Sequence, residues 1–328
     1  MISEAGGRRR RLSGQAAKSG PVSKSHPTGG RQAWAIPAWL RFVLPALILY
    51  GVIVLLPIVG GIPLSFVSWN GVSRPIFNGL ANFRSIIHAG FFFTALLHVV
   101  IITAMFVVLA NTVGLGLAVL LNSRPKGYRI YQTLIFLPVV VSLVATGFIW
   151  TLMLDPTIGL IPSLTQNHGP KILNQLWLAN PRIALFSVIM VAWWQWGGIP
   201  ILIYGAGLRG VPGELLEAAD IDGASRARRF WRITVPLLRP ATAVITILLF
   251  ITVAQTFDVV YVLEGAQGAP AGATDVFGTL IYRTAFGVGP GAVANLGLGE
   301  AVAVVVMVLL AVTLGIIQWY FRRRTVKL

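Results

Sequence analysis

Six long apolar stretches constrain the fold of this chain more than any other feature of its sequence. A helix that crosses the hydrocarbon core of a bilayer needs about 20 mostly apolar residues, because lipid offers no partner to backbone polar groups. In this chain 56% of the residues are hydrophobic and 11% are charged, against roughly 25% charged in soluble proteins. We therefore predict an all-α membrane protein whose six transmembrane helices occupy about residues 42–67, 95–121, 130–154, 183–208, 237–263 and 298–320.

The basic residues are distributed unevenly between alternate connections of these stretches. Of the 26 lysines and arginines, 21 lie before the first stretch, in 122–129, in 209–239 or after the sixth stretch. Lysine and arginine accumulate in cytoplasmic segments of membrane proteins, so we predict a multi-pass protein of a bacterial cytoplasmic (inner) membrane with both termini in the cytoplasm. The same rule accounts for the net charge of +16 without a nucleic-acid partner and leaves membrane lipid as the expected surroundings.

The polar start of the chain sets a domain boundary. Residues 1–40 are rich in Gly, Ser, Arg and Pro and lack apolar periodicity, a composition typical of disorder. We therefore predict a disordered basic cytoplasmic tail over 1–40 and a six-span transmembrane domain over 41–328. The first apolar stretch has no A-x-A-like cleavage site at its end and is interpreted as a retained anchor rather than a secretory signal.

Motifs that would make this chain an enzyme are missing from its sequence. It has no cysteine and no G-x-x-x-x-G-K-[ST] phosphate loop, so ATP hydrolysis by this chain is not expected. The four histidines are dispersed without metal-ligand spacing, whereas metal sites group their ligands. We expect no catalytic residue, no metal site and no cofactor bound by this chain.

A self-sufficient secondary transporter or channel is the alternative function. Such carriers use inverted repeats, broken helices and buried charges that bind a coupling ion. No half-to-half repeat is visible in this sequence, and Asp258 is interpreted as the one internal carboxylate. Uptake by the isolated protein under an ion gradient would favour the carrier over a subunit that depends on others.

The connection between the fourth and fifth stretches, residues 209–236, is longer than two packed helices need. Connections of this size are usually functional. Pro212 and Gly213 mark the end of the fourth stretch, and Gly223 separates an acidic segment from a basic one. The pattern predicts two short helices at an angle, with an apolar stripe at Leu215, Leu216 and Ala219 and with Glu214, Glu217 and Asp220 in the first turns, where the helix dipole favours anions.

This loop resembles the signature of the binding-protein-dependent ABC importer permeases. That signature is Glu-Ala-Ala, three residues, Gly, nine residues, then Ile-x-Leu-Pro, and this chain has Glu217-Ala218-Ala219, Gly223 and Ile233-Thr234-Val235-Pro236 at the same spacing. The resemblance implies a type I ABC importer permease fold in which the first short helix is the coupling helix that docks on a cytoplasmic ATPase. It places ATPase docking at Glu214, Glu217, Ala218, Ala219, Asp222 and Gly223. The other interpretation is an interfacial helix that lies on the bilayer.

Further segments resemble the carbohydrate branch of this family, of the maltose, trehalose and glycerol-phosphate type. They are Asn78-Gly79-Leu80-Ala81-Asn82-Phe83, Ile221-Asp222-Gly223-Ala224 and Phe257-Asp258 through Tyr261. The resemblance implies uptake of a sugar or related polyol. It also implies three partners, namely a second and different permease, a homodimeric ATPase that carries ATP and Mg, and an extracytoplasmic solute-binding protein.

A solute path needs polar groups inside an apolar bundle, and the fourth and fifth stretches supply them. In the fifth, Thr252, Gln255 and Thr256 are spaced i, i+3 and i+4 and are predicted to share one helical face, with Asp258 near the outer end. The fourth is interpreted as beginning with Trp193-Trp194-Gln195-Trp196, which suits stacking on sugar rings. The resemblance implies sugar contacts on the same two stretches, near Gln195, Trp196, Thr252 and Thr256. The path is therefore predicted at Gln195, Trp196, Thr252, Gln255, Thr256 and Asp258. An interfacial aromatic belt and simple helix packing are the alternatives for these residues.

Overall fold

The structure is a computed structural model that describes residues 38–165 and 175–324. Most of the predicted tail, at 1–37, lies outside the described residues. Contacts divide the chain into two compact units, one ending at Val54 and one beginning at Leu55. In chain order the α-helices are α1 Ala38–Tyr50, α2 Leu56–Leu64, α3 Ala81–His88, α4 Phe91–Leu109, α5 Leu115–Asn122, α6 Tyr128–Val140, α7 Leu143–Leu154, α8 Leu160–Thr165, α9 Ala184–Trp196, α10 Gly198–Arg209, α11 Gly213–Ile221, α12 Arg226–Arg229, α13 Val235–Leu237, α14 Arg239–Ala254, α15 Phe257–Glu264, α16 Phe277–Phe286 and α17 Leu296–Arg324.

Three helical segments are long and apolar enough to cross a membrane without a sharp bend. They are Leu40–Leu64, Phe91–Asn122 and Leu296–Arg323, with 25, 32 and 28 residues. The first two each contain one π-helical turn, at Gly51–Leu55 and Ala110–Gly114. These segments correspond to the first, second and sixth apolar stretches of the sequence.

The other three stretches are bent helix pairs. The helices α6 and α7 meet at 103°, and α9 and α10 meet at 46°. The segment Arg226–Leu237 meets α14 at 61°, so the fifth crossing continues directly from the 209–236 loop. Counting each bent pair as one crossing gives six, the number that the sequence predicts.

The residues at the breaks explain why these helices bend. The side chain of Ser142 caps α7 by accepting a hydrogen bond of 3.2 Å from the backbone nitrogen of Ala145, so the helix restarts there in a new direction. Pro240 lies in the first turn of α14, where a missing N–H costs nothing. A Cβ on Gly198 would lie 2.9 Å from the carbonyl oxygen of Ile135, so only glycine allows α6 to approach the start of α10.

A small hairpin caps one end of the second unit. Strands β1 (Val67–Ser68) and β2 (Ile76–Phe77) pair antiparallel, with Val67 opposite Phe77. The buried side chain of Asn82 donates from Nδ2 to the carbonyl oxygens of Ser65 and Val67, both at 2.9 Å. This asparagine belongs to the segment 78–83, which resembles carbohydrate permeases, and its two hydrogen bonds fix the hairpin to the end of α2. We call this end of the bundle the hairpin end.

Two buried polar groups tie the apolar helices together. The Tyr204 hydroxyl donates to Asn111 Oδ1 at 2.7 Å and lies 3.2 Å from Thr242 Oγ1, which joins α10, the π-helical turn after α4, and α14. At the hairpin end, Asp275 is 2% exposed and pairs with Arg283 at 2.7 Å. Apolar side chains fill the space between these groups, including Phe106, Ile102, Val188 and Leu280.

Candidate functional site: the elbow and the cavity at the helix breaks

The 209–236 loop forms two short helices at an angle, as the sequence predicts, and we call it the elbow. The first helix, α11, ends with Asp222 as its C-cap. Gly223 follows with φ of +74°, a conformation that favours glycine, and it redirects the chain. Ser225 then caps the second helix by accepting a hydrogen bond of 3.3 Å from the backbone nitrogen of Arg228.

The elbow presents an acidic and apolar face outward. Glu214, Glu217, Ala218 and Asp222 are exposed, and Ile221 is 87% exposed. In a chain whose charge is +16, four exposed carboxylates between residues 214 and 222, those of Glu214, Glu217, Asp220 and Asp222, form a distinct acidic surface.

Ala219 lies on the opposite face of α11 and is 7% exposed. Its methyl group packs inward, so this residue of the motif supports the elbow from inside rather than contributing to the outward face. Leu216 points the same way and lines a cavity of about 230 Å³ with Asn122 of α5 and Leu208 of α10. The elbow therefore lies at the same end of the bundle as the 122–128 connection, which we call the elbow end.

The position expected for Asp220 is wrong. Because α11 ends at Ile221, Asp220 lies in the last turn, where the helix dipole disfavours an anion. The Arg229 guanidinium on the second helix forms an ion pair with its carboxylate. This pair compensates for the unfavourable end of the dipole and links the two helices of the elbow.

A cavity of about 90 Å³ lies where the breaks of the third and fourth stretches meet the gap between α14 and α15 in the fifth stretch. Trp196 comes from the end of α9, Leu143 from the start of α7, and Gln255 from the residue after α14. Five of the six residues predicted for the solute path line it, namely Trp196, Thr252, Gln255, Thr256 and Asp258, together with Leu143 and Val259. We call this the break cavity.

Thr252, Gln255 and Thr256 line the same cavity, but they do not do so as one continuous helical face. The sequence spacing predicts one continuous helical face, but the helix ends at Ala254 and restarts at Phe257. Gln255 is exposed at this break, whereas Thr256 is buried and its hydroxyl donates to the carbonyl oxygen of Val253. Polar side chains therefore converge here because the backbone turns.

Gln195 does not line the break cavity. Its side chain is 3% exposed, and Nε2 donates a hydrogen bond of 2.8 Å to the carbonyl oxygen of Val141. Among the described residues its Oε1 has no hydrogen-bond partner. Gln195 thus connects the break of the third stretch to the end of α9.

The tryptophans of the fourth stretch do not lie at a span end, contrary to the interpretation of the sequence. They occupy the end of α9, at the break in the middle of the stretch. Trp193 packs edge-on against Phe106 with ring centroids 5.8 Å apart, and Trp194 packs edge-on against Trp150 at 5.6 Å. Neither is placed as an interfacial aromatic belt would be.

Two charged features of the structure are not among those predicted from the sequence. Glu300 lies inside the sixth apolar stretch, so Asp258 is not the one internal carboxylate; a Cβ on Gly61 would lie 2.5 Å from Glu300 Oε2. The buried cluster at Asp275 was also missed, because its contact with His98 joins residues that are 177 positions apart in sequence. His98 Nδ1 lies 2.8 Å from the carbonyl oxygen of Asp275, and the Thr279 hydroxyl donates to Asp275 Oδ1 at 2.7 Å.

Comparison with solved structures identifies the same fold. A crystallised bacterial ABC transporter involved in the import of the acidic polysaccharide alginate matches with a TM-score of 0.72 and 20% sequence identity, over 88% of this chain and 96% of that one. The same type of transporter, in complex with a periplasmic protein that holds an alginate pentasaccharide, matches with a TM-score of 0.67. These matches establish the type I permease architecture.

Curated relatives cover nearly the whole chain. A probable ABC transporter permease of Pyrococcus horikoshii is 31% identical over 89% of this chain and 98% of its own length. A probable permease of a starch degradation products transport system from Thermoanaerobacterium thermosulfurigenes is 30% identical over 87% and 94%. A trehalose/maltose transport system permease of Thermococcus litoralis is 31% identical over 81% and 88%.

The family itself is shown by a sequence model described as binding-protein-dependent transport system inner membrane component, which matches residues 110–327. This span includes the elbow, the break cavity and all the crossings from the end of the second to the sixth. The prediction of a transport permease rather than an enzyme is confirmed by this match and by the named relatives. The chain belongs to the binding-protein-dependent transport system inner membrane components, the membrane-spanning permeases of ABC importers.

Proposed function

We propose that this permease forms one half of the path by which a sugar or related polyol enters the cell, and that the break cavity is its part of the solute site. The observation that carries this proposal is the chemistry of the cavity lining. Trp196 offers an indole ring that can stack on the apolar face of a sugar, while Gln255 and Thr252 offer amide and hydroxyl groups to its hydroxyls. The relatives named for trehalose/maltose and for starch degradation products support the same solute class.

The size of the cavity supports a second permease. At about 90 Å³ it is well below the roughly 300–1,000 Å³ of sites that enclose small molecules. In this proposal a second, different permease supplies the facing half. The helix breaks around the cavity then move between two arrangements, one open to each side of the membrane.

The elbow is the proposed dock for a homodimeric ATPase. Its exposed carboxylates at Glu214, Glu217 and Asp222 suit arginines of a partner, since charge-assisted pairs of this kind are the stronger hydrogen bonds. Exposed Ile221 adds an apolar contact at the centre of that face. ATP and Mg bind to the ATPase in this scheme and not to the permease.

The orientation follows from charge. The elbow end carries Arg124, Lys126, Arg209 and the arginines of α12, and such residues are retained on the cytoplasmic side. We infer that the elbow faces the cytoplasm across the inner membrane and that both termini lie there. An extracytoplasmic binding protein would then deliver the solute to the hairpin end, at residues 68–94 and 264–296.

Reconstitution tests this proposal. Vesicles that contain the permease pair, the ATPase and the binding protein should take up labelled sugar, and Asp258→Asn or Gln255→Ala should slow uptake severalfold. Gln318→Ala, at an exposed position near the end of α17, is the matched control and should transport normally. Unchanged uptake in both cavity variants would contradict the solute site.

Docking and the alternative function need separate measurements. Glu217→Lys should abolish co-purification of the ATPase while the permease still folds, and retained assembly would contradict docking at the elbow. Uptake by the permease alone under a proton or sodium gradient would instead favour the secondary transporter.

A further inference from the structure

A second, larger cavity lies at the elbow end, away from both the break cavity and the outward face of the elbow. It measures about 300 Å³ and lies between α5, α6 and α10. Its apolar wall includes Phe136 and Ile201, and we call it the basic cavity. Its polar lining consists of Asn122, Arg124, Tyr128, Gln132 and Arg209.

Neither arginine of this cavity is neutralised within the part of the chain that the structure describes. The ion pairs there join Arg229 to Asp220 and Arg283 to Asp275, and no carboxylate lines the basic cavity. Two guanidinium groups that share a cavity without an acid repel each other, and an anion between them removes that cost. The cavity therefore has the charge of an anion site.

Both arginines are exposed, and their side chains reach the cavity from a turn and from the end of α10. Arg124 has φ of +48°, a left-handed conformation that is uncommon outside glycine, in a turn closed by its own N–H bonding to the carbonyl oxygen of Leu121 at 3.0 Å. Arg209 folds back along α10, because its Nη1 lies 3.7 Å from the place where a Cβ on Gly205 would be. The absence of a side chain at 205 gives the guanidinium room beside the helix.

Two apolar grooves adjoin the basic cavity. One, of about 510 Å³, begins at Arg129 and Thr133, becomes apolar along α6 past Leu137 and Val140, and shares Gln132 and Phe136 with the basic cavity. The other, of about 420 Å³, is lined by Leu117, Leu134, Trp193 and other apolar residues, and shares Ile201 with it. A charged cavity with two apolar grooves leading towards the middle of the membrane matches one anionic head group and two acyl chains.

We propose that the basic cavity binds the phosphate of an anionic phospholipid in the leaflet at the elbow end, with the acyl chains in the two grooves. Arginine suits this ligand because its planar fork donates two parallel hydrogen bonds to phosphate oxygens. The Tyr128 hydroxyl and the amides of Asn122 and Gln132 add neutral donors. Basic pockets between transmembrane helices are a recognised way to hold such head groups. A water-soluble phosphate would leave both grooves without a role.

Native mass spectrometry of the full-length chain, purified from membranes and exchanged into defined lipid nanodiscs, tests the proposal. The wild type should retain one phosphatidylglycerol in preference to phosphatidylcholine. In the double variant Arg124→Gln/Arg209→Gln the ratio of retained phosphatidylglycerol to phosphatidylcholine should fall by about tenfold or more, because each substitution removes a charge-assisted hydrogen bond. Equal retention of the two lipids by the wild type would overturn the proposal.

Matched variants separate lost binding from lost folding. Lys126→Gln removes one charge from the same connection but lies outside the cavity lining, so it should keep the preference. Arg124→Lys/Arg209→Lys keeps the positive charges without the planar guanidinium groups. Its preference for phosphatidylglycerol should lie between those of the wild type and the double glutamine variant. If Lys126→Gln loses the preference to the same extent as the double glutamine variant, the site is a diffuse surface effect and the proposal is wrong.

Two further arms exclude other occupants. Inorganic phosphate, added at the concentration of the lipid, should not displace it; displacement would assign the cavity to a soluble anion. The lipid should also survive assembly with the other importer subunits, and its loss on assembly would identify the cavity as part of a subunit interface instead.

Discussion

Gln195 Nε2 donates a hydrogen bond of 2.8 Å to the carbonyl oxygen of Val141, across the meeting point of α6, α7 and α9. Val141 lies in the gap between α6 and α7, so no helical partner satisfies its carbonyl group. The bond ties the break of the third stretch to the end of α9. Since Trp196 is the next residue along the chain and lines the break cavity, this bond positions the cavity wall.

Replacing Gln195 should therefore destabilise the bundle. Gln195→Leu roughly keeps the side-chain volume but leaves the Val141 carbonyl group unpaired. The free energy of unfolding should therefore fall by about 1 kcal/mol or somewhat more, the usual contribution of a hydrogen bond between membrane helices. Thermal unfolding of the purified protein in detergent measures this loss. The control, Gln255→Leu, changes an exposed residue of the same type and should leave the unfolding temperature nearly unchanged. Equal effects in the two variants would show that the Gln195 bond has no special role.

The ion pair between Asp220 and Arg229 should act on docking more than on stability. Both side chains are partly exposed, and exposed pairs contribute only about 0.2–1 kcal/mol. Loss of this ion pair should instead allow the angle between the two elbow helices to vary. Asp220→Arg and Arg229→Asp should therefore each weaken ATPase association. The double variant restores the pair with reversed sign and should recover association in a co-purification assay. Failure of the double variant to recover, with the fold intact, would mean that the partner recognises these charges directly.

Two glycines of α17 should respond differently to the same substitution. A Cβ on Gly297 would overlap the carbonyl oxygen of Val67 in β1, and backbone cannot move aside as a side chain can. Gly297→Ala should therefore strongly reduce the yield of folded protein. Gly315→Ala meets nothing within 4 Å and should be neutral or stabilising by up to about 1 kcal/mol, since alanine favours helix. Size-exclusion profiles of the two variants, expressed in parallel, check this difference.

Stability should also depend on the ionisation of Glu264, which follows the fifth apolar stretch. Burial raises the pKa of its carboxyl group from 4.5 to about 8, because the charged form loses its hydration. The folded chain thus binds a proton that the unfolded chain has released, so the free energy of unfolding should fall as pH rises from 4.5 towards 8 and level off above it. Glu264→Gln should flatten this decline in thermal unfolding scans. If the pH dependence of the free energy of unfolding persists in Glu264→Gln, another group causes it. Glu214→Gln, on the exposed face of the elbow, is the matched control and should keep the wild-type pH dependence.

Much of the architecture could be predicted because a chain that crosses a membrane needs long apolar stretches, which are visible in its sequence. The length of each apolar stretch reflects the thickness of the bilayer, and the bounds of the elbow are marked by Pro212 and Gly223, whose backbone preferences are local. Asp220 shows where this reasoning fails. Its position near the start of the elbow sequence suggested the first turns of the helix, but the helix ended sooner, and the ion pair with Arg229 was formed by a residue on the next helix.

Sequence alone thus determined the number of apolar stretches, the basic residues of the elbow end and the acidic character of the elbow, because each depends on residues that are close along the chain. Tertiary structure decided that the third, fourth and fifth crossings are bent, that the breaks of the third and fourth meet the gap between α14 and α15 at one cavity, and that Glu300 faces Gly61. The physical reason is that helices apolar on all sides carry no periodic signal for which face is buried. Once a helix bends, its residues are arranged by the packing of the neighbouring helices and no longer by its own periodicity.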